Sequence, residues 1–346
     1  MTMRLADVTT LRVGGPAQDV VVATDEATLI DTVRDADRRG IPTLILGGGS
    51  NVVIGDDGFA GRVVLVRTGG MTGHADGAEH VRVSLAAGEP WDAVVARTVD
   101  RGWSGIEALS GIPGLTGATV MQNVGAYGQD LSQVLVQARV FDRLNDEVRD
   151  LSAPECELRY RASRFKDEAD RWLILGLDLS LVGSLDATRD ALGQVAYPQV
   201  AHALGVAAGA PAPIGRIRDC VLDLRRAKGM VVDPDDPEST SVGSFFTNPI
   251  LEPAAARLLD DACPRYPDAR GIKVSAAWLI EAAGFVRGFS LDGRARISRK
   301  HVLALVNGGT ASAQDVLALA AHIHGRVRDV HGITLELEPT LVGCAL

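Results

Sequence analysis

With 346 residues the chain exceeds the size at which a single hydrophobic core usually stops growing, so two or three domains are expected. Its formal charge of −9 excludes a general nucleic-acid or acidic-membrane surface, since phosphate polymers are held by a broad positive field and a nucleotide needs only a few Arg and Lys. Met1 to Pro16 lacks the basic and apolar regions of a leader, no apolar run approaches a membrane span, and the four cysteines (Cys156, Cys220, Cys263, Cys344) form no CxxC pair; these features predict a cytoplasmic protein with reduced thiols and no metal.

Asp19 to Ala23 reads as a short apolar strand. Asp25 to Arg39 places Leu29, Ile30, Val33 and Ala36 on one helical face before Gly40 ends it, and Ile41 to Leu46 is a fully apolar strand. Two buried strands joined by a helix predict a parallel, right-handed βαβ unit. A glycine run, Gly47-Gly48-Gly49-Ser50-Asn51, follows the second strand as phosphate loops often do. The next residues, Val52, Val53 and Ile54, are β-branched, so no helix begins there; this disfavours both a Rossmann fingerprint and a P-loop.

Arg62 to Arg67 and Val81 to Ala86 read as further strands, and Pro90 opens a helix through Val99, giving a second βαβ-like unit. Then comes Gly111 to Gly128, GIPGLTGATVMQNVGAYG, with five glycines, a proline and few large side chains. Glycine is costly to order, so such a run is kept where backbone takes positive φ or closely approaches another object. A flat cofactor is one such object, with Thr119, Gln122 and Asn123 bonding a polar ring edge and small-residue amides suiting phosphate. On this stretch alone a long surface loop serves equally well; the second run at 47–51 favours the cofactor.

Val134 to Phe141 and Glu147 to Leu151 suggest a hairpin, Glu155 to Lys166 is irregular around Tyr160-Arg161, and Trp172 to Leu181 returns to strand. Ala187 to Val195 reads as helical, Tyr197-Pro198 as a loop, and the Ala-, Gly- and Pro-rich Ala203 to Pro213 as the connection to another domain. Ile214, Ile217, Val221 and Leu224 lie at helical spacing up to Lys228-Gly229. After an acidic loop, Ser241 to Pro249 reads SVGSFFTNP. Helices are expected at Leu251 to Asp261 and Ser275 to Ala283, and a strand at Val302 to Val306. Ser312 with Asp315 forms a capping-box signature for a helix with Val316, Leu319, Ile323, Val327 and Val330 on one face, and Ile333 to Val342 reads as a closing strand.

Among single residues, Ser244 behind Gly243 suits a nucleophile or proton donor as well as a turn residue, but the GxSxG elbow pattern is not met. Arg161 is a natural holder of a carboxylate, yet with Arg159 and Arg164 nearby it also suits a solvated arginine. Glu336 and Glu338 share one face of the closing strand, which either meets solvent or lines a site. His322 and His324 are two apart on a helix, poor geometry for a metal.

Together, RVGGPA at Arg12 to Ala17, LGGGSNVV at Leu46 to Val53, IPGLTGATVMQNVGAYG at Ile112 to Gly128, Tyr160-Arg161, GSFFTNP at Gly243 to Pro249, AAWLIEAAGF at Ala276 to Phe285 and LELEP at Leu335 to Pro339 resemble, over nearly the whole chain, the UDP-N-acetylenolpyruvoylglucosamine reductase (UDP-N-acetylmuramate dehydrogenase) family. The resemblance implies an α+β protein: an FAD-binding fold of the vanillyl-alcohol-oxidase (PCMH) type in residues 1–202, with subdomains at about 1–68 and 69–202, a separate α/β substrate-binding domain in 203–330, and a C-terminal strand, 331–346, returning to the active site. It implies noncovalent FAD, with NADPH as hydride donor and a nucleotide-sugar substrate.

The implied FAD contacts are Gly47, Gly48, Gly49, Ser50 and Asn51 in the first run, and Ile112, Pro113, Gly114, Gly117, Ala118, Thr119, Gln122, Asn123, Gly125, Ala126 and Tyr127 in the second. By the same resemblance Ser244 corresponds to the proton donor, and Arg161 and Glu338 to the pair that stabilises the intermediate. Hydride passes through flavin N5 to the enolpyruvyl group, and the charge that develops must be met by preorganised donors. Tyr160 falls among the substrate contacts, Tyr197 matches a subgroup whose loop tyrosine covers the diphosphate, and Lys228, Asn248 and His301 fall at the uridine-diphosphate contacts. Two departures stand out: Thr247 replaces a usual Lys, and the ending LELEP differs from the common LEPEV, which bears on Glu336 against Glu338. The competing expectations are another flavin oxidase or dehydrogenase of the same fold and a non-catalytic nucleotide-sugar sensor.

Overall fold

Local sequence explains the first elements of the computed structural model, which describes residues 3–346. After strand β1 (Pro16–Ala23), the Asp25 carboxylate accepts the Thr28 amide at 2.8 Å and so caps helix α1 (Glu26–Arg38), whose Leu29, Ile30, Val33 and Ala36 are buried. Strands β2 (Thr43–Leu46), β3 (Phe59–Val66), β4 (Met71–Ala75) and β5 (His80–Ala86) follow, then helix α2 (Trp91–Asp100). Strands β6 (Leu135–Asp142), β7 (Glu147–Ser152) and β8 (Trp172–Val182) lead to helices α3 (Pro198–Leu204) and α4 (Ile214–Ala227).

Two compact units divide the chain. One holds residues 18–48 and 60–227. Here β1, β3 and β2 lie in that order with β2 and β3 parallel, and β7-β6-β8-β5-β4 form an antiparallel sheet. Central β8 is almost wholly buried, whereas β5 alternates, with Val81, Val83 and Leu85 pointing into the core. Trp91, Leu109, Phe141 and Phe165 join these strands in one cluster.

The other unit holds, among the described residues, 3–17, 49–59 and 228–346. Strand β9 (Ser241–Ser244), helix α5 (Ala276–Ala282), strands β10 (Ala295–Ile297) and β11 (Ala304–Asn307) and helix α6 (Ala313–His331) build it, with sheet order β9-β11-β10. Residues Val52–Ile54 pair in parallel with Thr340–Val342. The capping box at Ser312 and Asp315 is present, and Asp56 also accepts the Ala313 and Gln314 amides at 2.8 and 3.1 Å, so distant chain satisfies the first N–H groups of α6. No helix among the described residues is long and apolar enough to cross a membrane, and no group of three or more His, Cys, Asp or Glu among them could hold a metal.

Several elements differ from expectation. Strand β3 lies between β1 and β2, so these two strands are not neighbours, and β5 joins the antiparallel sheet instead of a second βαβ unit. Residues 187–195 form no helix; Leu192–Gln194 is a strand paired with Pro211–Pro213, because Gly193 lets the chain pass against the Glu107 carboxylate, where a Cβ would lie 2.3 Å from Oε1. Tyr197-Pro198 starts α3, with Pro198 preset for the first turn. The stretch from Ala203 to Pro213 is not a domain connection, since α3 and α4 share one apolar cluster in the first unit. Residues 251–261 hold only a one-turn helix, Pro253–Ala256, and the closing strand is confined to Thr340–Val342 plus a bridge at Leu337.

Candidate active site

In the first unit the two glycine runs meet. A Cβ on Gly48 would stand 2.7 Å from Gly114 Cα, so only glycine allows this approach. The second run is tied to the first turn of α2: the Trp91 amide donates to Gly114 O at 3.0 Å and the Gly111 amide to Asp92 Oδ1 at 2.6 Å. A single helical turn, Thr116–Thr119, follows, where Gly117 packs 2.7 Å (as a Cβ) from the Ala87 Cβ and its amide donates to Ala87 O. The run ends in a two-residue hairpin, Gly125–Ala126 with Gln129–Asp130, whose corner residues Tyr127 and Gly128 have φ of +49° and +88°. Positive φ at both corners matches the right-handed twist of the strands.

This backbone is partly spoken for. The Thr119 hydroxyl donates to Thr116 O at 2.6 Å, so its proton is not available to a ring edge, and Asn123 Oδ1 accepts the Ser132 amide at 3.0 Å. Gln122 is half-buried. Gly47, Gly48 and the residues from Ile112 to Leu115 are half-buried, Thr116 and Gly117 are buried and Ala118 is exposed.

Arg161 reaches this run. Arg159 and Ala162 close a tight turn by bonds of 2.9 and 3.2 Å, which sets Arg161 at φ +53°. Its Nη2 donates to Gly125 O at 3.2 Å, and the guanidinium carbon lies 5.4 Å from the Tyr160 ring centre. Ser163 Oγ donates to Met121 O at 2.6 Å, a further tie between the turn and the glycine run. Tyr127 and Tyr197 rings pack edge to face at 5.5 Å, with Tyr197 38% exposed. Burial raises the Tyr127 phenol above its ordinary value, against the charge of Arg225.

The other unit joins Ser244 to Glu338 through main chain. β9 ends at Ser244, the Phe245 amide donates to Leu303 O, and Phe246 bridges Leu337; the Glu338 amide donates to Phe245 O at 3.0 Å and the Thr247 amide to Glu336 O at 2.9 Å. Ser244 is half-buried beside buried Phe245 and Phe246, Glu338 is half-buried and Glu336 exposed. Asn51 of the first glycine run belongs here: its Nδ2 donates to Glu338 O at 3.2 Å, and its carbonyl accepts the Thr340 amide. Gly49 has φ +61°, and a Cβ there would lie 2.1 Å from Val8 O.

Burial, then the charges of Lys228 and Arg287, push the His301 imidazole down to about 4, so it is neutral beside two cations. Asn248 Oδ1 accepts the Ala276 amide at 2.9 Å at the start of α5, a structural bond that leaves its NH2 group as a donor. Thr247, where a Lys was expected, is buried. Ser244, Glu338, Lys228, Asn248 and His301 thus lie in one unit, and Arg161, Tyr160, Tyr127 and Tyr197 in the other.

Sequence reasoning missed Arg287 and the buried arginines of α4. Arg218 and Arg225 are 9% and 8% exposed, on the face that also buries Ile214, Ile217 and Val221. A charge at core spacing in an amphipathic helix was the available signal.

A model of the UDP-N-acetylenolpyruvoylglucosamine reductase C-terminal domain matches residues 235–342, and one of an FAD binding domain matches residues 17–152, which contain the glycine runs. The UDP-N-acetylenolpyruvoylglucosamine reductases of Thermobifida fusca and Streptomyces avermitilis are 49% and 47% identical over 99% of this chain, covering 97% and 94% of their own lengths. The crystal structure of UDP-N-acetylenolpyruvylglucosamine reductase from Thermus caldophilus superposes with a TM-score of 0.66 at 25% identity, covering 99% of this chain and 98% of that one. The fold is therefore α+β with an FAD-binding domain, and the protein is an FAD-containing oxidoreductase. With agreement along its full length, the chain belongs to the UDP-N-acetylenolpyruvoylglucosamine reductase family.

Proposed function

We propose that this enzyme reduces UDP-N-acetyl-3-O-(1-carboxyvinyl)glucosamine to UDP-N-acetylmuramate with NADPH, in the cytoplasm, as a step in making peptidoglycan precursors. The names of its relatives support the substrate. The observation that supports the roles of Ser244 and Glu338 is the main-chain pairing of 245–247 with 336–338, which sets these two half-buried residues on adjoining segments of one unit.

FAD, held by the glycine runs, would supply the hydride route from NADPH to the terminal vinyl carbon. Hydride addition there leaves negative charge conjugated with the substrate carboxylate. Arg161, already oriented by its bond to Gly125 O, offers a fixed cation to that charge. Glu338 adds a second polar group, and Ser244 delivers the proton to the carbon bearing the ether oxygen. The vinyl bond is thereby reduced and NADPH oxidised to NADP. Lys228 and His301 serve the diphosphate, with Tyr197 covering it; a neutral imidazole donates one hydrogen bond without adding to the cationic field.

Stopped-flow mixing of FAD-loaded protein with NADPH, then with the enolpyruvyl substrate, tests the reading in wild type and Ser244→Ala. Flavin reduction by NADPH should be preserved and turnover to product should fall by about 10²–10⁴, the usual worth of a positioned proton donor. Equal loss in both half-reactions would make Ser244 a structural or flavin-binding residue instead.

A further inference from the structure

Arg218 has been given no role above, yet it is buried and held by side chains from two other parts of the chain. Its Nη1 and Nη2 donate to Asp92 Oδ1 and Oδ2 at 2.7 and 3.0 Å, a two-pronged pair, and Nη1 also donates to Ser110 Oγ at 2.9 Å. The same Asp92 Oδ1 accepts the amide of Gly111, the first residue of the second glycine run, at 2.6 Å. Ser110 is wholly buried and its hydroxyl donates to Glu107 O at 2.6 Å, so the guanidinium takes the free lone pair of that oxygen. Burial alone would raise the Asp92 carboxyl; the bonds from Arg218 and Gly111 outweigh it and hold the group below its ordinary value.

The consequence is geometric. Gly111 has φ +70° and Gly114 φ +114°, and the four residues from Gly111 to Gly114, anchored at both ends, make a bend whose far end abuts Gly48. One anchor is the Trp91 amide on Gly114 O, pure backbone; the other is the Asp92 carboxylate on the Gly111 amide, and a carboxylate can rotate. The two-pronged arginine removes that freedom, since both carboxylate oxygens are fixed in the plane of the guanidinium.

We propose that Arg218 is a positioning residue for FAD: acting through Asp92 and Ser110, it locks the Gly111–Gly114 bend in the shape that receives the cofactor. The proposal rests on the reading that FAD lies on the glycine runs. It predicts that loss of the fork is felt in cofactor affinity and in the flavin's environment, over and above any loss of fold.

The test uses full-length protein stripped of flavin and titrated with FAD at a temperature where near-UV circular dichroism shows every variant folded. Arg218→Met, close in volume and uncharged, should weaken FAD binding about tenfold or more, as expected when a charge-assisted bond is lost from the anchor of a binding loop. It should also shift the flavin absorption band of the saturated protein and raise hydrogen exchange at the Gly111 amide. Arg218→Lys, which keeps the charge but loses the fork, should recover part of the affinity and not the absorption band. Ser110→Ala, which removes one acceptor of Arg218 and the hydroxyl's bond to Glu107 O but keeps the fork on Asp92, should weaken FAD about two- to threefold, and it carries the test with Arg218→Lys if Arg218→Met does not fold. A folded Arg218→Met with wild-type affinity, spectrum and exchange would overturn the proposal and leave Arg218 a structural ion pair. Wild-type protein that takes up no FAD would defeat the cofactor reading itself, a separate outcome.

Discussion

Replacing Gly48 with alanine puts the meeting of the two glycine runs to direct measurement. The added Cβ would stand 2.7, 3.2 and 3.5 Å from the Cα, carbonyl carbon and nitrogen of Gly114, all backbone atoms, so no side chain can swing aside. To reach ordinary contact, which begins at 3.4 Å, the runs must separate by about 0.7 Å. Overpacking of this kind costs about 1–3 kcal/mol. Against it stands a gain of about 0.4–1 kcal/mol from the smaller entropy of the unfolded chain, and Gly48 is not among the positive-φ glycines, so no backbone strain is added. The net expectation for flavin-free protein is a loss of about 1–2 kcal/mol in urea unfolding. Gly47→Ala is the matched control: its nearest neighbours, in Leu115 and Ala118, lie 3.8 and 3.9 Å away, so the fold should tolerate it within about 0.5 kcal/mol. If FAD lies along these glycines, both variants weaken its binding in a fluorescence titration, but only Gly48→Ala weakens the apo fold. A Gly48→Ala protein as stable as wild type, with unchanged FAD affinity, would refute the closed approach of the two runs.

Three further outcomes follow from single groups. Arg161→Gly should stay within about 1 kcal/mol of wild-type stability, because relief of the left-handed φ (about 1 kcal/mol) offsets the lost bond to Gly125 O (also about 1 kcal/mol), while turnover falls about 100-fold or more; a melting scan beside steady-state kinetics separates this from a structural role, which would lower both. Asp142 is fully buried, and its pair with Arg171, outweighing burial, lowers its carboxyl from 3.8 to about 2, so its contribution is present above pH 4 and lost as pH falls toward 2; Asp142→Asn should cost about 2 kcal/mol at pH 7 and flatten that window in urea midpoints. His301 has the same sign of proton balance in a higher window, since the unfolded chain binds its proton near 6.5 and the folded one only near 4, so stability declines from pH 6.5 to 4 by up to about 3 kcal/mol; His301→Gln should remove that slope, and a slope unchanged by the substitution would mean another group carries it.

How much of this was legible in the sequence depended on how local the determining physics was. Helix α1 and helix α6 were readable because a capping carboxylate or box and a 3.6-residue apolar spacing are both written within a few residues. Strand β8 was readable because a long apolar run has nowhere to go but the middle of a sheet. The misread stretches were decided by distant partners. Residues 192–194 are extended because Gly193 must pass the Glu107 carboxylate, and nothing between Ala187 and Val195 announces that neighbour. The start of α3 at Pro198 was different, since proline at a first helical position was a signal in plain view. The glycine runs were legible as backbone in need of room, but not as each other's neighbours. The buried arginines of α4 were hidden by a habit of reading charge as solvent exposure.

The candidate residues share a mode of support that burial alone would not reveal. Each sits beside main chain fastened by a polar group from far along the sequence: Asn51 on Glu338 O, Ser163 on Met121 O, Asp92 on the Gly111 amide, Asn248 on the Ala276 amide. Hydrophobic packing is non-directional and fixes which faces are buried, but it tolerates small slides of an irregular segment. Hydrogen bonds from buried and half-buried side chains do not, because a displaced partner leaves a desolvated donor or acceptor unmet. Loops rich in glycine have little side-chain surface to pack, so their shape must be set by such bonds if it is to be set at all. The same reasoning explains why the runs carry so few large side chains: the geometry is written in the partners, and the runs themselves need only be thin enough to approach.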